Sequence, residues 1–320
     1  MNLKNLLFEE KKFPLFLAPM EGVTDPPFRF LCKKFGADVM YTEFISSEGL
    51  IRNAEKSVRK LKFDNFERPI GIQIFGHNVE SMKQAALIAE EQNPDMIDIN
   101  CGCPVKKVVS KGCGSALLQD IEKLQKMVAE VVKTVKIPVT VKTRLGWDFN
   151  SIVIEELVER LQDVGVQLVT IHARTRNQMY SGEADWSYLG KVKNNMRIKI
   201  PIIGNGDIDS VEKALDCKNN YGVDGIMIGR ATIGHPWIFD EIKCKVENKN
   251  FVKPDIKELI MQHLKMEKNY KNEHYAVVSL RKHYKNYFKN IPDIKNFRQT
   301  LMDAETIESV KDILDTYNEI

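Results

Sequence analysis

Eight apolar, β-rich runs recur along the chain at intervals of roughly 30 residues, the length of one βα unit. They are Leu15–Ala18, Val39–Thr42, Ile70–Phe75, Met96–Asn100, Val139–Lys142, Leu168–His172, Ile200–Gly204 and Gly225–Gly229. Helical patterns with start signals lie between most of them. Asp25 before Pro26 predicts an N-cap with proline in the first turn. Asp209 with Glu212 fits a capping box. Ser151 precedes the amphipathic stretch Ile152–Val164, which Gly165 closes as a C-cap. Buried runs alternating with helices predict an α/β chain, a (β/α)8 TIM barrel rather than an open doubly wound sheet. The open sheet calls for a Gly-x-Gly-x-x-Gly turn after the first strand, and Ala18-Pro19-Met20-Glu21-Gly22 is not one.

The pattern changes after Trp237-Ile238-Phe239. From Pro254 to Ile320 there is no strand-like run, only helical spacing. The expected organisation is a barrel over 1–245 and a small all-α helical domain over 246–320, divided in the polar stretch Glu247-Asn248-Lys249-Asn250. A length of 320 residues accommodates both. No apolar run is long enough to span a membrane. The start of the chain, through Phe8-Glu9-Glu10-Lys11-Lys12, is too charged for the core of a signal peptide, so a cytoplasmic protein is expected. Six cysteines without framework spacing are expected to be reduced thiols.

Polar groups gather at the C-terminal ends of these runs, the face on which barrels build active sites. The first run ends in Pro19-Met20-Glu21-Gly22, and the third carries Gln73. The fourth ends in Asn100 and Cys103, the fifth in Lys142-Thr143-Arg144, and the sixth in His172-Ala173-Arg174-Thr175-Arg176. The seventh ends in Gly204-Asn205-Gly206-Asp207 and the eighth in Gly229-Arg230. A single polar strand end is usually a satisfied structural group; seven of eight is a site. Glycines after the last two runs let backbone N–H groups approach an anion, and Arg230 adds charge, which points to a phosphorylated ligand. Lys142 and His172 would project into the same cavity and donate hydrogen bonds to an electron-rich ring such as a reduced flavin. Gln73 would read the ring's pyrimidine portion or, equally well, be a buried structural amide. Cys101, Cys103 and Cys113 have poor spacing for zinc or an iron–sulfur cluster, so no metal is expected. A buried inert thiol suits Cys101 and Cys113. It suits Cys103 less, because the Gly-Cys-Pro turn lies on the reactive face.

Five segments together resemble the tRNA-dihydrouridine synthases, the bacterial B-type branch most of all. They are Ala18-Pro19-Met20-Glu21-Gly22-Val23-Thr24-Asp25, Asn100-x-Gly102-Cys103-Pro104, Val141-Lys142-Thr143-Arg144-Leu145-Gly146-Trp147, His172-Ala173-Arg174-Thr175 and Gly204-Asn205-Gly206-Asp207. The resemblance runs in order from about Leu15 to Phe239 and continues into the helical part. It implies an FMN-containing barrel that reduces the C5–C6 double bond of selected uridines in tRNA, with NADPH as reductant and Cys103 as general acid. It implies flavin contacts at Pro19, Met20, Glu21, Gln73, Lys142, His172, Asn205, Gly206, Asp207, Gly229 and Arg230, and a uracil contact at Asn100. Glu21 stands where the family often has alanine, and Cys101 where it often has an apolar residue.

Charge in the helical part is asymmetric. Lys265 to Arg298 holds nine basic and three acidic residues, and Asp303 to Ile320 one basic and six acidic. Within Val277–Lys289, Val277, Leu280, Tyr284, Tyr287 and Phe288 fall on one helical face. Arg281, Lys282, Lys285 and Lys289 fall beside it, an RNA-facing arrangement. Arg281, Lys282 and Lys285 are therefore expected tRNA contacts, while Tyr270, Tyr275 and Tyr284 are expected in the core. A monomer is the default. Two rival readings are a dihydroorotate dehydrogenase-like FMN barrel acting on a free pyrimidine, and a tRNA-binding or tRNA-folding protein in which catalysis is secondary.

Overall fold

The computed structural model describes residues 3–8, 13–289, 291 and 294–316; residues 9–12 of the charged N-terminal stretch and 317–320 lie outside them. Nine parallel strands form one sheet: β1 Leu15–Leu17, β2 Met40–Tyr41, β3 Ile45–Ser46, β4 Ile70–Phe75, β5 Met96–Cys101, β6 Val139–Arg144, β7 Leu168–His172, β8 Ile202–Asn205 and β9 Gly225–Ile228. Their order is β1-β9-β8-β7-β6-β5-β4-β2, and a parallel bridge between Phe16 and Val39 joins the two ends of that order. The result is a (β/α)8 barrel.

One barrel position is split. β2 and β3 pair with the two ends of β4; β2 falls within the predicted run Val39–Thr42, and β3, beyond Thr42–Phe44, lies outside it. The bend has a use: Thr42 Oγ1 accepts from the Gln73 backbone N–H at 3.1 Å. Two predicted helix starts also shift. Ser210, not Asp209, caps Val211–Asn220, because its hydroxyl reaches the Lys213 N–H at 3.1 Å. Ser151 bonds back to Asp148 at 2.7 Å, and the helix begins later, at Ile154. Asp25 does cap Pro26–Lys34, and Gly165 takes the left-handed conformation at φ 96°.

The strands' outward side chains and the surrounding helices form the larger core. Inside the barrel, Phe16, Val39, Tyr41, Met96, Leu168, Ile203 and Met227 pack on Leu3 and Leu7 of the helix Leu3–Phe8. The apolar layer fills one end of the barrel, which leaves the other end for polar side chains. Among the described residues no helix is long and apolar enough to cross a membrane.

Four helices follow the barrel: Ile256–Tyr270, Glu273–Tyr287, Ile294–Asp303 and Ile307–Asp315. In the first, Ile256, Leu259, Ile260, His263, Leu264 and Glu267 are all buried, the stripe of a helix packed on one face. Val277, Leu280, Tyr284, Tyr287 and Phe288 pack against that stripe together with Leu31 and Trp237 of the preceding region.

Polar groups close this contact. His283 Nδ1 accepts from the Gly234 N–H at 2.9 Å, and Lys282 donates to the Gly22 carbonyl. Tyr275 donates to Asp25 Oδ2 at 3.0 Å, and the buried Glu267 carboxyl group lies beside it. Burial pushes both carboxyl groups up, and for Asp25 the neighbouring Glu267 adds to it. Glu43 also raises the pair, whereas Lys282 lowers both, His263 lowers Asp25 and Lys271 lowers Glu267. The two groups share a proton in the fold over a range where the unfolded chain releases it. Stability therefore falls as pH rises from about 4 towards neutrality. Glu267→Gln removes one desolvated charge and its repulsion of Asp25. The expected gain is on the order of 1–2 kcal/mol near pH 8, shrinking towards pH 5. Thermal melts of both proteins across that range check it; parallel curves would show that the pair carries no proton linkage.

Candidate active site

A cavity of about 390 Å³ opens at the C-terminal ends of the strands. Ala18, Pro19 and Met20 line it after β1, Lys142 on β6, His172 on β7, Asn205 to Asp209 after β8, and Gly229 to Ala231 after β9. Alternation along the strands explains the set. Asp98 and Asn100 on β5, Thr140 and Lys142 on β6, and Thr170 and His172 on β7 share the barrel's inner face, while Ile97, Ile99, Val141, Val169 and Ile171 face the helices.

Charge in the lining is mixed, Lys142 and Arg230 against Asp207 and Asp209, with Arg144 and Arg174 acting on it from behind. Lys142 donates to Asn205 Oδ1 at 3.1 Å. Although its stem touches the cavity, its amine is desolvated, which pushes it down to about 8, with the Arg144 charge adding to the effect. His172 is pushed well below the usual imidazole range by burial, then by Arg144, Lys142, Arg174 and Arg230. It is neutral at physiological pH. Arg174 donates to its Nε2 at 3.4 Å, so Nδ1 carries the proton. Asp207 accepts from Arg174 at 2.6 Å, from the Ala184 N–H at 2.8 Å and from Arg230 at 3.5 Å. That carboxylate shapes the loop from within the protein. Gly206 has φ 126°, and a Cβ there would lie 2.8 Å from Ala184 Cβ, so the close turn requires glycine. At Gly229 the nearest atom to an added Cβ is 3.5 Å away, which leaves its surroundings open.

A second set of bonds runs beside the cavity. Asp98 accepts from Thr140 at 2.5 Å and from Gln73 Nε2 at 2.6 Å. Gln73 Oε1 accepts from Asn100 Nδ2 at 2.9 Å. Asn100 Oδ1 then accepts from the Gly102 and Cys103 N–H groups at 3.1 and 2.9 Å. Arg144 holds the same turn from the other side, donating to the Gly102 carbonyl at 2.9 Å and to Thr175 and Met179 carbonyls at 2.8 Å each. Cys103 is 8% exposed and packs with Val108, Cys113, Phe44 and Phe75. Its sulfur lies by the Val105 N–H, within the fields of Arg144, Glu21 and Lys142. Burial pushes the thiol up, so it keeps its proton at neutral pH.

Of the expected ligand contacts, Pro19, Met20, Lys142, His172, Asn205, Gly206, Asp207, Gly229 and Arg230 meet in one cavity. Two expected contacts lie outside this lining. Glu21 is more than half exposed and pairs with Lys60. Gln73 is fully buried with its amide engaged on both sides, as the structural-amide alternative expects. Asn100 is likewise engaged, leaving only its second Nδ2 hydrogen. Cys103 adjoins the cavity without lining it. In the helical region, Lys285 is exposed. Arg281 instead donates to the Ala304 carbonyl at 3.2 Å, and Lys282 reaches the barrel loop; both hold elements together. Tyr284 is fully buried, while Tyr270 and Tyr275 are only half-buried, with Tyr275 bonded to Asp25.

Tyr180 was not anticipated. Its ring lies 4.5 Å from the Arg230 guanidinium, 5.6 Å from that of Arg144 and 6.3 Å from the His172 ring. An aromatic residue in the loop Gln178-Met179-Tyr180-Ser181-Gly182 was the available signal.

Fold and cavity define an α/β barrel with a polar site at the C-terminal ends of its strands. A family model, Dihydrouridine synthase (Dus), matches residues 16–319. The probable tRNA-dihydrouridine synthase 1 of Synechocystis is 39% identical over 304 residues, covering 93% of this chain and 84% of that protein. The tRNA-dihydrouridine synthase B of Vibrio cholerae is 36% identical over 307 residues, covering 95% of each. That of Pseudomonas aeruginosa is 38% identical over 291 residues, covering 89% of this chain and 86% of its own. Histamine dehydrogenase from Rhizobium sp. 4-9 shares the fold, with a TM-score of 0.55 at 14% identity over 83% of this chain and 51% of that one. The chain belongs to the dihydrouridine synthase family.

Proposed function

We propose that this chain is a tRNA-dihydrouridine synthase that reduces the C5–C6 double bond of uridine in tRNA, with FMN as bound cofactor, NADPH as reductant and Cys103 as general acid. One observation carries the reading. Asn100 and Lys142 are register partners on β5 and β6, so the turn that bears the thiol sits beside the cation of the cavity. A proton donor and an anion site thus flank one space, as reduction of a polarised double bond requires.

The residues present fit FMN. Lys142, Arg230 and the glycine loops after β8 and β9 supply positive charge, that of Arg230 shared with Asp207, and approachable N–H groups for a phosphate and an electron-rich ring. Bound there, FMN would supply the hydride for uracil C6. The chain's own part is the proton. Cys103 would give it to C5 once its side chain turns from the Val105 N–H towards the cavity. Asn100 and Arg144 hold the turn while it does so. Reaching the site means unstacking the uridine, at a cost of a few kcal/mol that backbone contacts must offset. Lys285, exposed on the second of the four helices, would contribute to these contacts. In this reading the working form is a cytoplasmic monomer.

The test is to incubate purified protein with FMN, NADPH and an in vitro transcribed tRNA, and to assay dihydrouridine by nucleoside mass spectrometry. Dihydrouridine in the transcript, with none formed from free uracil or orotate, is expected. Turnover of the free pyrimidines without modification of tRNA would overturn the reading in favour of a small-molecule oxidoreductase.

A further inference from the structure

The loops after β6 and β7 form a rigid ledge on the reactive face. Gly146 and Ile152 form an antiparallel bridge that closes the first loop into a narrow hairpin. A Cβ at Gly146 would lie 2.0 Å from the Ser151 carbonyl oxygen, so the hairpin depends on glycine there. Its tip is internally saturated. Asp148 Oδ1 accepts from Ser151 Oγ at 2.7 Å and from the Asn150 N–H at 3.0 Å. The second loop is zipped to the first, with the Arg176 and Asn177 N–H groups donating to the Gly146 and Trp147 carbonyls at 2.9 Å each. Arg144 fixes the second loop from below through the Thr175 and Met179 carbonyls.

This ledge holds apolar rings in water. Phe149 at the hairpin tip is 61% exposed. Trp147 is half-buried, and the Arg176 guanidinium lies 4.5 Å from its ring centroid. Arg176 forms no ion pair with a carboxylate among the described residues, and its Nε has no acceptor. An uncompensated cation stacked on indole, beside an exposed phenyl ring, suits a partner with both a flat face and a negative charge. A nucleotide has both.

We infer that Trp147, Phe149 and Arg176 form a stacking platform for a nucleotide adjacent to the reactive uridine. The inference rests on the tRNA reading above and deepens it. Extruding one base deprives its neighbour of a stacking partner, and a ring fixed on the reactive face replaces it. The rigid hairpin makes the replacement cheap in ordering entropy.

The test uses in vitro transcribed tRNA with the full-length holoenzyme. Phe149→Ala is expected to raise the KM and the dissociation constant for the transcript roughly tenfold, with kcat and the rate of flavin reduction by NADPH unchanged. Phe149→Trp should retain wild-type affinity and Phe149→Leu should not, because stacking needs a ring. Trp186 and Trp237 are only 2% and 4% exposed, so quenching of tryptophan fluorescence by the transcript reports on Trp147. Unchanged KM and affinity in Phe149→Ala, in a protein that modifies the transcript, would overturn the platform alone. Affinity lost equally in the Trp and Leu variants would overturn stacking in favour of shape. A wild-type protein that neither binds nor modifies the transcript would overturn the tRNA reading, and the platform with it.

Discussion

Cys103→Ala is expected to lower the rate of uridine reduction in tRNA by about 10²–10⁴-fold, the range for removing a general acid. Binding of FMN and its reduction by NADPH should stay near wild-type, because Cys103 adjoins the cavity without lining it. The substitution removes one sulfur atom from a small cluster with Val108, Cys113, Phe44 and Phe75, and the Asn100 bonds to the turn go to backbone N–H groups that alanine retains. A local folding defect is therefore a poor explanation of a large loss. The raised thiol pKa sets the pH dependence. The donor form persists through neutrality, and the Cys103 contribution should be lost only as pH rises through that elevated value. Single-turnover oxidation of the prereduced holoenzyme by transcript isolates the step. Oxidation at the wild-type rate by Cys103→Ala would remove Cys103 from the chemistry.

The barrel was legible because burial on both faces of a parallel strand leaves long apolar runs, and all eight runs begin and end within two residues of a strand. Ile45–Ser46 was not legible. It is two residues long, Ser46 also caps the next helix, and so short a strand has no period to detect. The cavity residues could be read from the polar strand ends, since period two fixes which of them face inward. What those side chains touch could not. Gln73 and Asn100 sit at the expected places, yet each is engaged by a register neighbour, and amide pairing depends on three-dimensional register. Arg281 and Lys282 lie on a basic stripe by helical spacing, but the elements that meet that stripe are distant in sequence: Ala304 for one and Gly22 for the other. Tyr180 lacked any periodic signal because it lies in a loop.

Lys142→Met is expected to reduce turnover by about 10²–10³-fold, as removal of one preorganised donor at a developing negative charge does. It should differ from Cys103→Ala in where the loss falls. Lys142 lines the cavity, so the methionine protein should retain FMN weakly and accept electrons from NADPH slowly, before any uridine is present. Methionine keeps the length of the apolar stem between Asn100 and Thr170, the register neighbours on β5 and β7, so the barrel should close as before. Stability should hold or rise. A lysine pushed down to about 8 costs the fold stability once pH drops below its ordinary value near 10.5, and methionine has no charge to desolvate. The same shift predicts the behaviour of the wild-type site. Its amine is charged below about 8 and neutral above, and a bound anion favours the charged form. FMN affinity should thus weaken as pH rises beyond that value, and Lys142→Met should abolish the trend. Flavin fluorescence titrations from about pH 6.5 to 9.5 read this directly. Equal affinity in both proteins across the range, with full turnover in the variant, would reduce Lys142 to a structural amine bonded to Asn205.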